Sequence, residues 1–209
     1  MAERLAVNPN RMELLKLRRR LLVARRGHKL LKDKFDELMK RFQKAVAESL
    51  VLREEVEASL ARAYGSFVIA RSEMSNPELE EALSFPVASA EVAVGRASLV
   101  SVVVPEFELD TRGALDSYGL ALTPALLDVS IAMYDSVLPD MVRMAALEKA
   151  VRILADEIEK TRRRVNALEY VLIPQLENTI RYIAMKLDEF ERANLTRLMK
   201  IKEMVSERE

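Results

Sequence analysis

Apolar residues recur three and four positions apart through the first third of the chain. The series is interrupted only by His28 and Ser49, and its other members are Leu14, Leu17, Leu21, Ala24, Leu31, Phe35, Leu38, Phe42, Ala45, Leu52 and Val56. A mean spacing of about 3.5 residues, rather than 3.6, predicts the seam of a left-handed coiled coil. Asn10 followed by Glu13 is typical of a helix start. The pattern therefore predicts one helix over residues 11–73.

A second series with the same spacing occupies the last third of the chain, from Met144 to Val205, and includes Leu198 and Ile201 near its end. Two successive four-residue steps around Leu176 interrupt the heptad, as in a stutter. Pro174 lies inside this interruption and has no N–H to donate to a helical hydrogen bond. We therefore expect a kink or local unwinding there.

The segment between the two series has a different character. Ser75, Asn76 and Pro77 predict a short helix, and the apolar and alternating runs of residues 92–109 predict two or three short strands, most simply a hairpin. Thr123-Pro124 predicts the start of the C-terminal helix, which we expect to bend at Pro139. The predicted segments are an N-terminal coiled-coil helix at 1–74, a globular middle segment at 75–123 and a C-terminal coiled-coil helix at 124–209.

Two long helices that flank a small insert predict the fold class. An amphipathic helix of this length cannot keep its apolar stripe in water, so the two helices should pack on each other. We predict a mainly α fold, in which the N- and C-terminal helices form a long antiparallel two-helix coiled coil. The small α/β middle segment would contain the short β-hairpin. Aromatic residues make up only 5% of the chain and there are five glycines, which argues against an all-β sandwich or barrel.

Few residues offer catalytic chemistry. The chain has no cysteine and one histidine, which excludes disulfides, thiolate chemistry and every metal motif that needs two histidines. His28 falls on the predicted seam and is interpreted as a partly buried helical histidine, and Gly27 beside it as a point of close approach between the helices. No glycine-rich phosphate loop is present. We expect no catalytic residue, no metal and no cofactor, and a soluble, intracellular protein, because no apolar run approaches the ~18 residues of a membrane span.

Charge is balanced overall, with 33 basic and 33 acidic residues, but it is unevenly distributed. Residues 11–53 are strongly basic and residues 73–116 are acidic, an asymmetry that favours oriented docking on charged partners. Few aromatic residues accompany the basic runs, so base stacking is not supported. These observations leave open a mechanical shaft, a hairpin-tipped chaperone, a nucleic-acid-binding arm and a curved membrane scaffold.

Three blocks of sequence are more specific than the coiled-coil pattern. The first block, residues 8–21, opens with Asn8-Pro9 and contains Arg11. The second, residues 27–34, begins with Gly27-His28. The third is the most specific, because residues 157–171 contain the string TRRRVNALEY, which generic coiled coils do not share, and it continues through residues 173–180. Together these blocks, which fall on both long helices, resemble the D subunit of V-type and archaeal-type rotary ATPases.

This resemblance implies the central rotor shaft of a complex that couples ATP synthesis or hydrolysis to ion transport. In that family the paired helices enter the ring of catalytic A and B subunits, and the nucleotide sites lie at the A–B interfaces. The globular middle, with the small F subunit beside it, docks on the funnel-shaped subunit (called C or d) that sits on the membrane rotor ring. The resemblance thus implies a non-catalytic chain at the cytoplasmic face of the membrane, with no membrane insertion and no nucleic-acid partner.

The basic stretch of residues 11–53, which we name the basic arm, and two lysines near the end of the chain provide the candidate contacts with the A and B subunits. We predict that the hexamer-facing residues are Arg11, Arg18, Arg19, Arg25, Arg26, Lys200 and Lys202. A further hypothesis assigns the hairpin of residues 92–109 a contact with the catalytic head or a neighbouring stalk subunit. Two alternatives remain at this point. A prefoldin-like chaperone requires six chains with exposed apolar tips, and a nucleic-acid-binding coiled-coil arm requires duplex binding that weakens steeply with salt.

Overall fold

The structure, a computed structural model, describes residues 5–115, 118–119 and 123–206. Its elements are α1 (Arg11–Ser72), α2 (Asn76–Leu83), β1 (Ser89–Leu99), β2 (Val102–Arg112), α3 (Ala125–Asn166), a π-helical segment (Ala167–Leu172) and α4 (Ile173–Ser206). The predicted fold class is confirmed: the chain is mainly α, with long N- and C-terminal helices and a two-stranded antiparallel hairpin. The cap at the start of α1 is also confirmed, because Asn10 Oδ1 accepts a hydrogen bond from the Glu13 N–H at 2.7 Å.

The chain divides into two compact units. Unit 1 combines the N-terminal stretch through Asp36 with the C-terminal stretch that begins at Glu159, and unit 2 is Glu37–Ile158. In unit 1, the first part of α1 packs antiparallel to the π segment and α4. Its core is formed by Leu17, Ala24, Leu176 and Ile183. Cross-helix pairs show the direction, since Arg11 pairs with Glu191 whereas His28, further along α1, pairs with Glu169.

Unit 2 repeats the antiparallel arrangement with the second part of α1 and α3. Leu52, Val56 and Val137 form one buried cluster of this unit. Arg53 forms an ion pair with Glu148, and Phe67 meets Tyr134 edge-on with their ring centroids 6.4 Å apart. The predicted seam positions Leu52 and Val56 are thus buried between the two helices of unit 2.

The hairpin packs its tip onto the helices of unit 2. Its two 11-residue strands are joined by Val100 and Ser101, whose φ angles of 50° and 68° are those of the two-residue turn that matches strand twist. Val102 and Val104 are buried in one cluster with Leu38, Ala150 and Leu154. The hairpin is thus confirmed, with two long strands rather than two or three short ones. Pro105 is tolerated in β2 because both strands of a two-stranded sheet are edge strands.

The unwinding expected near Pro174 is confirmed. Residues immediately before it form the π segment, in which Ile173 N–H donates to the carbonyl oxygen of Leu168, five residues earlier. The wider turn accommodates the extra step in the heptad pattern, and Pro174 has no N–H to restore the α-helical ladder. Elsewhere, α3 begins one residue after Pro124 and contains Pro139 within its length.

Candidate partner-binding surfaces

Exposed faces of the helices and the hairpin are the candidate sites of this chain. Within residues 5–115, 118–119 and 123–206, no group of three or more His, Cys, Asp or Glu side chains is placed to hold a metal ion. Across the same residues, no helix is both long and apolar enough to cross a bilayer. His28 is partly buried on the seam, as the sequence predicted. Its Nε2 lies 3.3 Å from Glu169 Oε2.

The predicted basic residues lie exposed in unit 1, on α1 and near the end of α4. Two of them also join the helices: Arg11 binds Glu191, and Arg25 lies 2.7 Å from the Glu177 carboxylate. Such exposed pairs contribute about 0–1 kcal/mol each, so they orient the helices more than they stabilise them. The remaining predicted arginines, Arg18, Arg19 and Arg26, form no ion pair with any described residue.

The end of α4 carries an exposed apolar stripe. Every residue from 188 to 206 is exposed. We name as the C-terminal stripe seven apolar side chains that are 51–65% exposed, namely Phe190, Leu195, Leu198, Met199, Ile201, Met204 and Val205. The prediction that Leu198, Ile201 and Val205 complete the seam is therefore wrong. Since α1 begins at Arg11, which already pairs with Glu191, α4 extends past the start of its partner helix.

A second open face runs along α1 in unit 2. Small or apolar residues recur there with 3,4 spacing, broken only by Glu54, and all are exposed: Ala47, Val51, Ala58, Ala61, Gly65 and Val68. We name this set the α1 outer face. It is flanked by Leu50, Tyr64 and Ile69, which are 54–62% exposed. Sequence reasoning missed this face because the stronger apolar seam on the same helix dominated the pattern; the second series of small residues was the available signal.

The hairpin also presents an apolar surface away from its packed tip. Strand register places Val92, Val94 and Val103 on the face opposite the buried valines, and all three are exposed. On the other face, beyond the packed tip, acidic residues replace the apolar ones: Glu91, Glu106, Glu108 and Asp110. The outward half of the hairpin therefore has one apolar and one acidic face.

Two shifted pKa values reflect local structure in unit 2. The Ser75 hydroxyl and N–H both donate to the Glu78 carboxylate, at 2.7 and 2.9 Å, and lower the pKa of that carboxyl. The hydrogen bond and charge of Glu148 raise the pKa of the Arg53 guanidinium. In both cases the partner stabilises the charged form, as in a cap or an ion pair.

Comparison with known proteins agrees with the sequence blocks described above. A family model described as the D subunit of ATP synthase matches residues 13–203. The chain belongs to this family. The V-type ATP synthase D subunit of Thermoanaerobacter sp. (strain X514) is 57% identical over 201 residues, which cover 95% of this chain and 96% of that protein. The same-named protein of Acetivibrio thermocellus is 54% identical over 205 residues, covering 96% and 92% of the two chains.

A third family member supports the same assignment. The V-type ATP synthase D subunit of Clostridium botulinum (strain Langeland / NCTC 10281 / Type F) is 50% identical over 211 residues, covering 99% of this chain and 98% of that protein. The resemblance to this family is thus confirmed for the chain as a whole. Because the family match extends to residue 203, it includes most of the C-terminal stripe and the entire hairpin.

Proposed function

We propose that the chain is the central shaft of a V-type ATP synthase and transmits torque between the catalytic A and B subunits and the membrane rotor ring. It would thereby couple ATP synthesis or hydrolysis to ion transport without catalysing a reaction itself. The observation that carries this proposal is the exposed C-terminal stripe in a member of this ATP synthase family. Such an apolar surface at the end of a long helix marks a binding site for another protein.

Packing within each unit supports a mechanical role. In both units, α1 is held against an antiparallel helix by buried apolar side chains and by cross-helix ion pairs. Two helices joined along their length resist twisting better than one, because relative sliding would break the interdigitated seam. A chain that transmits force needs this stiffness and requires no cofactor.

The C-terminal stripe and the basic residues of unit 1 form the proposed contact with the A and B subunits. The stripe supplies apolar area, and Lys200 and Lys202 lie exposed on the same part of α4. Arg18, Arg19 and Arg26 add positive charge on α1, while Arg11 and Arg25 combine that role with their ion pairs across the helices. Acidic surfaces of the catalytic subunits would complement this face and orient the approach.

Unit 2 provides the proposed contacts with the other stalk subunits. We assign the F subunit to the α1 outer face, where exposed small residues allow a partner helix to approach closely and the flanking Leu50, Tyr64 and Ile69 supply contact area. The region after α2, where Phe85 is 77% exposed, is the proposed contact with the funnel-shaped subunit. These contacts would hold the chain at the cytoplasmic face of the membrane without inserting it.

Co-purification with the A, B and F subunits of the same organism tests this assignment. Leu198→Glu with Ile201→Glu places two charges on the C-terminal stripe and should abolish binding to the A and B subunits while retaining the F subunit. The matched variant, Leu50→Glu with Val51→Glu, charges exposed residues of α1 and should lose the F subunit while retaining the A and B subunits. All four side chains are more than half exposed, so circular dichroism should show unchanged helicity. Wild-type assembly by the first variant would contradict the proposal.

A further inference from the structure

At one position along the helix pair of unit 1, both helices contain residues that weaken helical structure. On α1 this level contains Gly27 and His28. On the facing helical stretch it contains the π segment, with Pro174 shortly after it. The contact between His28 and Glu169, 3.3 Å between Nε2 and Oε2, places these features opposite each other. We name this level the Gly27–π level.

The backbone ladder is interrupted on the π side of this level. At the end of the π segment, the hydrogen bond from Ile173 N–H reaches Leu168, five residues back, instead of four. The next residue, Pro174, has no N–H and contributes no bond at all. π-helical turns are rare and mark sites of strain, bending or function in longer helices. This stretch therefore holds its helical shape with fewer and poorer hydrogen bonds than the α-helix on either side.

The α1 side carries a glycine that packing does not explain. A Cβ added to Gly27 would meet no atom within 4 Å, so the expectation that close helix approach requires this glycine is wrong. A glycine inside a helix favours local unfolding over alanine by about five-fold, since it gains more backbone freedom when the helix opens. Helix α1 is thus easier to open at Gly27 than it would be with alanine there. No close contact in the described part of the chain requires the glycine.

Neither helix buries a side chain at this level. In unit 1, none of the α1 residues 25–36 is buried. None of residues 162–175, in the helical stretch that faces them, is buried either. The flanking positions are different, because Ala24, Thr161 and Leu176 are 8%, 2% and 0% exposed. Local opening at the Gly27–π level would therefore expose less buried surface than opening on either side.

We propose that the Gly27–π level is a conformational hinge, at which the paired helices of unit 1 open and twist before the flanking segments do. In a shaft, this level would yield first under torque. The proposal goes beyond the proposed function, and the two can fail separately: hinge opening is measured on the isolated chain, whereas the shaft assignment depends on its partners.

Amide hydrogen exchange of the full-length chain under native conditions tests the hinge. Residues 25–31 and 167–173 should exchange several-fold faster than residues 14–21 and 178–185, which flank them in the same helix pair. Equal or stronger protection of the two hinge windows would overturn the proposal.

Two variants and a matched control sharpen the test. Gly27→Ala should slow exchange of residues 25–31 by about five-fold. Pro174→Ala, which restores an N–H, should slow exchange of residues 167–173. Gly65→Ala is the control, because Gly65 is also helical with nothing within 4 Å of an added Cβ, but it lies in unit 2. It should leave both windows unchanged. A Gly27→Ala effect that spreads equally over the flanks, or that Gly65→Ala reproduces in the hinge windows, would refute a local hinge.

Discussion

Leu154→Ala tests the packing of unit 2 at the point where three elements meet. The Leu154 side chain, from α3, is 1% exposed. It belongs to one buried cluster with Leu38 of α1, Ala150 of α3, and Val102 and Val104 of β2. Removing its outer carbons would leave a cavity that is enclosed by two helices and a sheet.

The expected cost follows from that enclosure. Buried leucine-to-alanine changes cost about 2–5 kcal/mol, and more when the surroundings cannot collapse into the cavity. Because neighbours from α1 and β2 hold the site from different sides, we expect about 3 kcal/mol. For a chain of this length, each kcal/mol lowers the melting temperature by about 2–4 °C, which gives a decrease of about 6–12 °C.

Thermal and urea unfolding followed by circular dichroism measure this loss. Leu198→Ala is the matched control, since the same atoms are removed from a side chain that is 62% exposed, and it should change stability by less than about 0.5 kcal/mol. The reasoning is refuted if the two variants have equal stability. It is also refuted if Leu154→Ala leaves amide protection in β1 and β2 unchanged, because the hairpin tip packs on the same cluster.

Two further predictions concern α2 and the basic arm. Ser75→Ala removes a hydroxyl donor, so the lowered pKa of Glu78 should rise towards its ordinary value in an NMR titration. Because this folded-state pKa is lowered, the stability that Glu78 gives α2 is present above the ordinary glutamate pKa and is lost as pH falls through the lowered value; an unchanged titration would contradict the cap. Charge reversal of Arg18, Arg19 and Arg26 to glutamate should weaken binding to the A and B subunits, most strongly at low salt. Bio-layer interferometry at several salt concentrations measures the change in the dissociation constant. Unchanged assembly and ATPase coupling would show that these arginines do not face the catalytic subunits.

The sequence predicted the paired helices well because burial repeats along them. Leu17, Leu38 and Val56 occupy predicted seam positions and are buried. The same periodicity misassigned Leu198 and Ile201, which are exposed. A repeating apolar pattern shows which face of a helix is apolar, but not whether another part of the same chain covers it.

The hairpin turn was harder to predict, for a local reason. Val100 and Ser101 both adopt positive φ angles, a conformation usually supplied by glycine or asparagine. The glycine in this region, Gly95, lies within β1 and opposite Glu106. Val100 instead packs against the cluster that contains Leu38 and Leu154, so tertiary contact outweighs turn propensity.

The candidate surfaces depend on information that the sequence lacks. The basic residues were identifiable from their charge, but the ion pairs of Arg11 and Arg25 emerge only when α4 is placed beside α1. The α1 outer face likewise can be recognised as an open surface only once the structure shows that the opposite face of α1 packs on α3.

Rotation of the chain when it is bound to the A and B subunits is the most direct test of the proposed shaft. The chain contains no cysteine, so Ser98→Cys, at an exposed position of β1, gives a single attachment point for a bead or rod. With the A and B subunits fixed to a surface, addition of ATP should turn the probe continuously in one direction. A probe that stays stationary while the bound complex hydrolyses ATP would contradict the account.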